Sequence, residues 1–131
     1  MIYKFKIMRF GVEEKIDKVS FEELNQADLY LNELPTKNAI IFVAAIDGNT
    51  DYGNYIIFLN NDGFAHIILH EHQEFYPRDP MQDLNIRIQE YIDDDGSMFR
   101  VEQSRLTSVE RALVSLKKWL PEQQKWSEYI W

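Results

Sequence analysis

The sequence of 131 residues contains no cysteine, only five glycines and no long apolar run. Without cysteine the chain has no disulfide framework, no thiolate zinc site and no cysteine nucleophile, and this composition fits a reducing compartment. The longest apolar run, residues 39–46, is far shorter than the ~20 residues of a membrane-spanning helix. The first ten residues also lack the continuous apolar core of a signal peptide. We therefore expect a cytoplasmic protein.

Basic side chains are in the minority. Fourteen Lys and Arg against 22 Asp and Glu give a net charge of −8. Nucleic acids and anionic membranes are held by cationic surfaces, so this balance argues against either as the main partner and suits a basic protein instead. The chain is 45% hydrophobic and 14% aromatic, which at this length is enough for one globular domain over residues 1–131.

Two capping boxes predict where two helices begin. In Ser20–Glu23 and in Thr107–Glu110, a hydroxyl and a carboxylate three residues apart can each accept a backbone N–H of the first turn. Each box precedes an amphipathic pattern that a proline ends, Pro35 in the first case and Pro121 in the second. The apolar positions of the two helices are Leu24, Ala27, Leu31 and Leu34, and Val109, Ala112, Leu113, Leu116 and Leu120.

The other regular patterns are those of β-strands. Residues 1–10 alternate apolar and basic side chains, as a strand with one buried face does. The turn sequences Asp62-Gly63 and Asp93–Gly96 predict hairpins. The order of elements predicts an α+β fold, with a mainly antiparallel sheet of five to six strands and two amphipathic helices packed on it. The remaining strand candidates are 39–46, 55–59, 64–69, 85–92 and 98–102, and residues 126–131 are a short final strand or a docked tail.

All three histidines, His66, His70 and His72, fall on one predicted strand, where they would share a face. At ~3.3 Å per residue about 20 Å separates residues 66 and 72, so only His70 and His72 are close enough to share a metal ion. A His70/Glu74 acid–base pair is also conceivable. No nucleophile elbow, phosphate-binding loop, dinucleotide fingerprint or His-Glu-x-x-His motif accompanies them. The pattern favours half-buried or edge histidines on a sheet, with no metal ion and no cofactor.

The acidic residues are unevenly distributed along the chain. Residues 38–77 contain five acids and no Lys or Arg, and residues 79–104 contain seven acids and two arginines. By contrast, the first ten residues carry a charge of +3 and residues 105–131 a charge of +2. A polarised surface steers a cationic protein toward it. Acidic side chains at a sheet edge also serve solubility alone, so the distribution leaves both interpretations open.

Aromatic residues are more numerous than two short helices require, and aromatic side chains inside an acidic rim are typical interface anchors. Residues 75–80, Phe-Tyr-Pro-Arg-Asp-Pro, hold two prolines and are predicted to form an exposed loop. The predicted contact surface combines this middle loop with the turn of the last hairpin. Its residues are Glu71, Glu74, Phe75, Tyr76, Asp93, Asp94 and Asp95.

The order of the predicted strands and the second helix is similar to that of a known family. An apolar strand pair over residues 38–59 crosses a glycine-containing turn, a strand follows Asp62-Gly63-Phe64, and the helix Ser108–Leu120 leads through Pro121 to the tryptophan-bearing segment Trp126–Trp131. This order resembles the small immunity proteins of bacterial polymorphic-toxin and contact-dependent inhibition systems, in particular the first-numbered immunity family. The resemblance implies an α+β cytoplasmic domain that binds a cognate toxin domain and has no catalytic activity of its own.

We therefore expect an immunity (antitoxin) protein that occludes the active site of a basic toxin, such as a nuclease or a nucleic-acid-modifying enzyme. The acidic balance agrees with a basic partner. Two alternatives remain: a small metal-dependent or acid–base enzyme around His70, His72 and Glu74, and a small adaptor or ligand-binding domain with a pocket between helix and sheet.

Overall fold

The computed structural model describes residues 2–21, 24–47, 50–70, 74–77, 79, 88–102 and 106–120. In these ranges an antiparallel sheet carries both helices on one face. The strands are β1 (Ile2–Arg9), β2 (Val12–Val19), β3 (Ala39–Asp47), β4 (Thr50–Leu59), β5 (Phe64–His70), β6 (Glu74–Phe75), β7 (Gln89–Ile92), β8 (Met98–Val101) and β9 (Leu106–Ser108), and the helices are α1 (Leu24–Asn32) and α2 (Val109–Trp119).

The main sheet has the strand order β2-β1-β3-β4-β5-β6, and every pairing in it is antiparallel. Strand β9 also pairs with β5, at the opposite end of β5 from β6. Strands β7 and β8 form a separate two-stranded ribbon. This architecture confirms the predicted α+β fold with a mainly antiparallel sheet and two helices packed on it. The predicted strand at 126–131 lies outside the described residues.

Strand β2 was not predicted from the sequence. A two-residue turn, Phe10-Gly11, joins it to β1, and both turn residues have positive φ (50° and 82°). Such primed turns match the right-handed twist of a hairpin, although Phe is an unusual residue at the first position. Strand β2 lies at one edge of the sheet and is largely exposed. It therefore has no buried face to impose the apolar alternation by which strands are recognised.

The helix-covered face of the sheet forms the larger core. Every second residue of the central strands is buried on this face; Phe5, Ile41 and Ile57 are examples. They pack against α2, whose Leu116 and Trp119 are almost fully buried. Each such side chain contributes about 1.5–3 kcal/mol by leaving water. Neither helix in the described ranges is long and apolar enough to cross a membrane.

Tyr55 ties this core to α2 by hydrogen bonds as well as by apolar contact. Its hydroxyl donates to the carbonyl oxygen of Ala112 at 3.1 Å and is hydrogen-bonded to the hydroxyl of Ser115. Burial raises the pKa of Tyr55 well above its usual range, because a phenolate there would lose its hydration. These contacts fix the position of α2 over β4.

The start of α2 differs by one residue from the predicted capping box. Ser108, not Thr107, is the N-cap, and its hydroxyl accepts the backbone N–H of Arg111 at 3.2 Å. Thr107 lies in β9, and its hydroxyl donates to the carboxylate of Asp79. Two adjacent hydroxyl residues fit the same cap pattern, and tertiary contact decides between them.

The second face of the sheet is covered by the β7–β8 ribbon instead of a helix. The register places Met8, Ile40, Phe58 and His66 side by side across β1, β3, β4 and β5. Tyr91 and Val101 of the ribbon, with Leu106, complete a second, smaller buried cluster on this face. The predicted hairpin from 85–92 to 98–102 is thus present, with described strands of four residues each.

Candidate protein-binding site

An aromatic cluster fills the space between the ribbon and β5. His66 is buried (3% exposed), and four rings surround it with centroid distances of 5.8 to 6.4 Å. Tyr91 and Phe99, which face each other across β7 and β8, are two of these rings. Phe58 packs edge-on against Phe99 at 5.0 Å. His66 is therefore a core residue and not the half-buried or edge histidine that the sequence predicts.

Tyr76 is the fourth ring and the exposed wall of this cluster. Its ring lies almost parallel to that of His66, with an interplanar angle of 10° and a centroid distance of 5.8 Å. The side chain is 39% exposed, and its hydroxyl donates to the carboxylate of Glu74 at 2.9 Å. An aromatic residue that is stacked on a fixed ring and partly open to solvent has the geometry of an interface anchor.

A groove of about 480 Å³ opens beside Tyr76, between β5 and β8. Its lining mixes apolar and aromatic side chains with polar ones, among them two acidic residues. The sequence predicted Tyr76 and Asp93 as contact residues at separate places in the chain, and both line this groove. The lining residues are Phe58, His66, Ile68, Tyr76, Asp93, Phe99, Arg100, Val101 and Glu102.

The turn of the ribbon carries three consecutive carboxylates, Asp93, Asp94 and Asp95. Their oxygen atoms lie within 4.8 Å of one another. Within the described ranges this is the one group of three His, Cys, Asp or Glu side chains that is close enough to hold a cation, and the histidines do not join such a group. Three like charges at this spacing concentrate negative potential at the tip of the ribbon.

Hydrogen bonds fix the conformation of this turn. The backbone N–H of Asp93 donates to the carbonyl oxygen of Ser97 at 2.7 Å, and that of Gly96 donates to Asp93 at 3.0 Å. The carboxylate of Asp95 accepts both the hydroxyl and the backbone N–H of Ser97. These two bonds, chiefly the one from the hydroxyl, lower the pKa of Asp95 below its usual value. The turn therefore presents its charges from a defined geometry.

The acidic turn is held against the β1–β2 turn. Gly11 and Gly96 lie so close that a Cβ atom on Gly11 would be 3.0 Å from the backbone N and Cα of Gly96. Both glycines have positive φ, 82° and 85°. A side chain on Gly11 would push the two turns apart. The position of the carboxylates therefore depends on Gly11, which is distant from them in the sequence.

Basic side chains near the groove are few. Arg100 lines it but lies 3.4 Å from the carboxylate of Glu90, its partner across the ribbon. Asp93 and Glu102 are the acidic residues of the lining. Glu74 lies beside the groove, because its carboxylate accepts the hydrogen bond of the Tyr76 hydroxyl. The described part of the groove therefore carries more negative than positive charge, which complements a basic segment of a partner.

Asp79 does not contribute to an acidic surface, because it is buried. Its side chain is 1% exposed and pairs with Arg111 of α2 at 2.6 Å. It also accepts the hydroxyl of Thr107. The prediction of an exposed loop over residues 75–80 is wrong for Asp79, which ties the segment before the ribbon to the first turn of α2.

The predicted contact residues are thus partly brought together. Tyr76 and Asp93 line the groove, Glu74 lies beside Tyr76, and Asp94 and Asp95 extend the acidic turn. Glu71 and the side chain of Phe75 lie outside the described residues.

Sequence analysis did not select His66, Phe99 or Glu102 as part of this site. The available signal was the alternation of apolar and charged residues in the ribbon. Tyr91 follows Glu90 on one strand, and Phe99 precedes Arg100 on the other. This pattern predicts that one face of the ribbon is directed inward, with its aromatic side chains against the sheet.

The residues of the alternative enzyme site are distributed differently. His70 and Glu74 are directly opposite each other in the β5–β6 pairing, so the register does bring this pair together. Both are exposed, and the carboxylate of Glu74 accepts a hydrogen bond from Tyr76. His72 lies outside the described residues. The pair is open to solvent, whereas catalytic groups usually lie in a cleft.

A second cleft, of about 660 Å³, lies on the β7 side of the ribbon. Three exposed apolar side chains, Phe10, Ile88 and Met98, are among its lining residues, together with Asp62 and Glu90. The ribbon is therefore flanked by two clefts in which apolar and acidic side chains are mixed. Clustered apolar side chains with a polar rim are a mark of protein-binding surfaces.

Comparisons with known proteins give no relative from which a function can be transferred. No protein-family model, no curated protein and no solved structure matches the chain significantly.

Proposed function

We propose that this protein is a bacterial immunity (antitoxin) protein, which binds a cognate toxin domain and occludes its active site. The contact surface is the acidic turn Asp93–Asp95 together with the groove beside Tyr76. The main support for the proposal is that Tyr76 and Asp93 line the same groove, although 17 positions separate them in the sequence.

The two parts of this surface have different roles in the proposal. The stacked ring of Tyr76 supplies apolar area that a partner buries, which determines how slowly the complex dissociates. The three carboxylates act at a distance, because they raise the local concentration of a cationic partner before contact. A nuclease or another nucleic-acid-modifying toxin has a basic cleft, so this surface would fit over the residues that bind its substrate.

The charge role is tested by replacing Asp93, Asp94 and Asp95 with asparagine. The amide oxygen of asparagine still accepts the hydrogen bonds that shape the turn, so the fold should be retained. The partner is the toxin domain encoded next to the gene, or failing that a small basic protein. At low ionic strength we expect the association rate to fall by about 10- to 100-fold and its salt dependence to flatten.

A matched control combines Glu33→Lys with Glu110→Gln, which changes the net charge by the same three units at exposed positions in or next to the helices. If the control slows association as much as the triple variant does, only the overall charge matters and the surface assignment is wrong. Failure of the intact protein to protect cells that express the toxin domain would refute the immunity function itself.

The enzyme alternative is separated from this proposal by His70→Ala and by metal analysis of protein purified without chelators. A binding protein should retain its affinity and its protection of cells in this variant. Loss of protection with His70→Ala at unchanged affinity, or stoichiometric bound metal, would favour the enzyme.

A further inference from the structure

Strand β2 offers an edge for pairing with another chain. It is the last strand of the sheet on its side, and residues 12–16 and 18 are exposed. Every second residue of an edge strand turns its N–H and C=O away from the neighbouring strand, so these groups can pair with an added strand. In the described part of the chain, β1 is the one strand that pairs with β2.

The residues on either side of Ile16 in β2 carry opposite charges, Lys15 and Asp17. If two copies of β2 pair antiparallel with Ile16 opposite Ile16, Lys15 of each copy faces Asp17 of the other. Both of these charged cross-strand pairs are of opposite sign, the arrangement that stabilises neighbouring strands. Glu14 takes no part, because it is the extra residue of a β-bulge opposite β1 and pairs with Arg9 at 2.6 Å.

The adjacent registers lack this complementarity. With Lys15 or Asp17 at the centre, that residue faces its own copy and the like charges repel. A shift by one residue sets Lys15 against Lys18 in one direction, and in the other direction it sets Lys15 against Ile16. Charges on an edge strand ordinarily prevent pairing, whereas here they favour one antiparallel register over its neighbours.

We propose that two copies of this chain associate through β2 about a two-fold axis at Ile16, so that the two sheets become continuous. Such an interface is isologous, since the same patch contributes from both copies. Within each copy Lys15 and Asp17 lie 3.1 Å apart, so the interface brings two such ion pairs into one network of four alternating charges.

The dimer leaves the groove beside Tyr76 accessible. Strands β1, β3 and β4 lie between β2 and β5, which puts β2 and β5 about 19 Å apart at ~4.8 Å per strand. The two grooves of a dimer would lie far out on the joined sheet, each able to bind its own partner. This inference does not depend on the immunity function.

Sedimentation over a concentration series tests the dimer. The wild-type protein should move from the 15.7 kDa of the single chain toward twice that mass as its concentration rises. The variant Lys15→Glu sets a carboxylate at position 15 against Asp17 in both of these cross-strand pairs and should remain monomeric. The double variant Lys15→Glu/Asp17→Lys exchanges the two charges, restores the complementarity and should dimerise again.

The exposed charge reversal Lys118→Glu, on α2, is the matched control and should dimerise as the wild type does. Hydrogen exchange gives a second readout, because alternate amides of β2 should become protected only at concentrations where the dimer forms. Circular dichroism establishes that each variant is folded. A wild-type protein that stays monomeric at its highest soluble concentration overturns the proposal. So does a folded Lys15→Glu variant that dimerises normally, or a folded double variant that does not.

Discussion

The two faces of the sheet are closed by different means, and the difference separates stability from recognition. On one face α1 and α2 cover the central strands, and the rings of Tyr55 and Trp119 lie 5.6 Å apart in a continuous core. On the other face a ribbon of two four-residue strands covers a smaller cluster and leaves a groove on either side. Within the described ranges the pair of helices covers its face, whereas a groove remains on each side of the narrow ribbon.

The charge distribution differs in the same way. Two carboxylates near the helix-covered face are paired within the fold, Asp28 with Lys117 at 2.6 Å and Asp79 with Arg111. The carboxylates of the acidic turn accept hydrogen bonds from their own turn and keep their charge at the surface. Carboxylates that are already paired in the fold add little to long-range steering, so the ribbon is the region from which attraction of a cationic partner should arise.

The largest effect should follow from opening the helix-covered core. Leu116 is fully buried in α2, and Leu116→Ala leaves a cavity that should lower the free energy of unfolding by about 2–5 kcal/mol. Val114 is 56% exposed on the same helix, and Val114→Ala should change the free energy of unfolding by less than about 0.5 kcal/mol. Urea denaturation of both variants measures the contrast. Equal losses would mean that α2 does not close the main core.

Gly11→Ala should lower the free energy of unfolding less than Leu116→Ala does, but it should have the larger effect on binding. Positive φ at this position costs a residue with a side chain about 1–2 kcal/mol, and the close approach to Gly96 adds strain. The new methyl group can be accommodated only if the ribbon turn moves. Stopped-flow measurement should therefore show slower association with the partner, because the acidic surface is displaced.

Gly63→Ala is the control for backbone strain alone. Gly63 has the same φ of 82°, but no atom lies within 4 Å of an added Cβ. The difference in unfolding free energy between the two variants should therefore be the effect of contact between the turns, about 1–3 kcal/mol. If Gly11→Ala and Gly63→Ala are equally stable and bind the partner equally well, the ribbon is not positioned by the β1–β2 turn.

The sequence predicts the helix-covered face well, because burial leaves periodic patterns there. The apolar positions Ala27, Leu31 and Leu116 all lie in the main core. Strand β2 could not be recognised in this way, since an exposed edge strand carries no such pattern. Prediction of helix boundaries is limited by a related ambiguity, as Thr107 and Ser108 show: both fit an N-cap, and the tertiary contact of Thr107 distinguishes them.

The candidate site is predictable in composition but not in assembly. Its carboxylates and Tyr76 stand out in the sequence as turn and loop residues. The local sequence does not show that Asp79 is buried while the acidic turn Asp93–Asp95 is at the surface. Burial of the Asp79 carboxylate depends on Arg111, which is distant in the sequence. The groove itself depends on how a ribbon late in the chain crosses β5, which is a non-local contact.

The smallest expected effect concerns the charge state of the acidic turn. The hydroxyl of Ser97 is the main cause of the lowered pKa of Asp95. A carboxylate with a lowered pKa stabilises the fold above its unfolded-state pKa, and this contribution is lost as the pH falls through the folded-state pKa. Ser97→Ala should therefore raise the pKa of Asp95 toward its usual value, with little change in stability at neutral pH because the group is exposed.

A carboxyl-carbon NMR titration measures this change directly, and Ser97→Thr is the matched variant because it keeps the hydroxyl. Threonine should hold the pKa of Asp95 low, and alanine should not. At neutral pH Asp95 is ionised in all three proteins, so the rate of association with a basic partner should be the same for each. Should Ser97→Ala slow association there, the hydroxyl would matter by orienting the carboxylate, and the recognition surface would depend on the shape of the turn as well as on its charge.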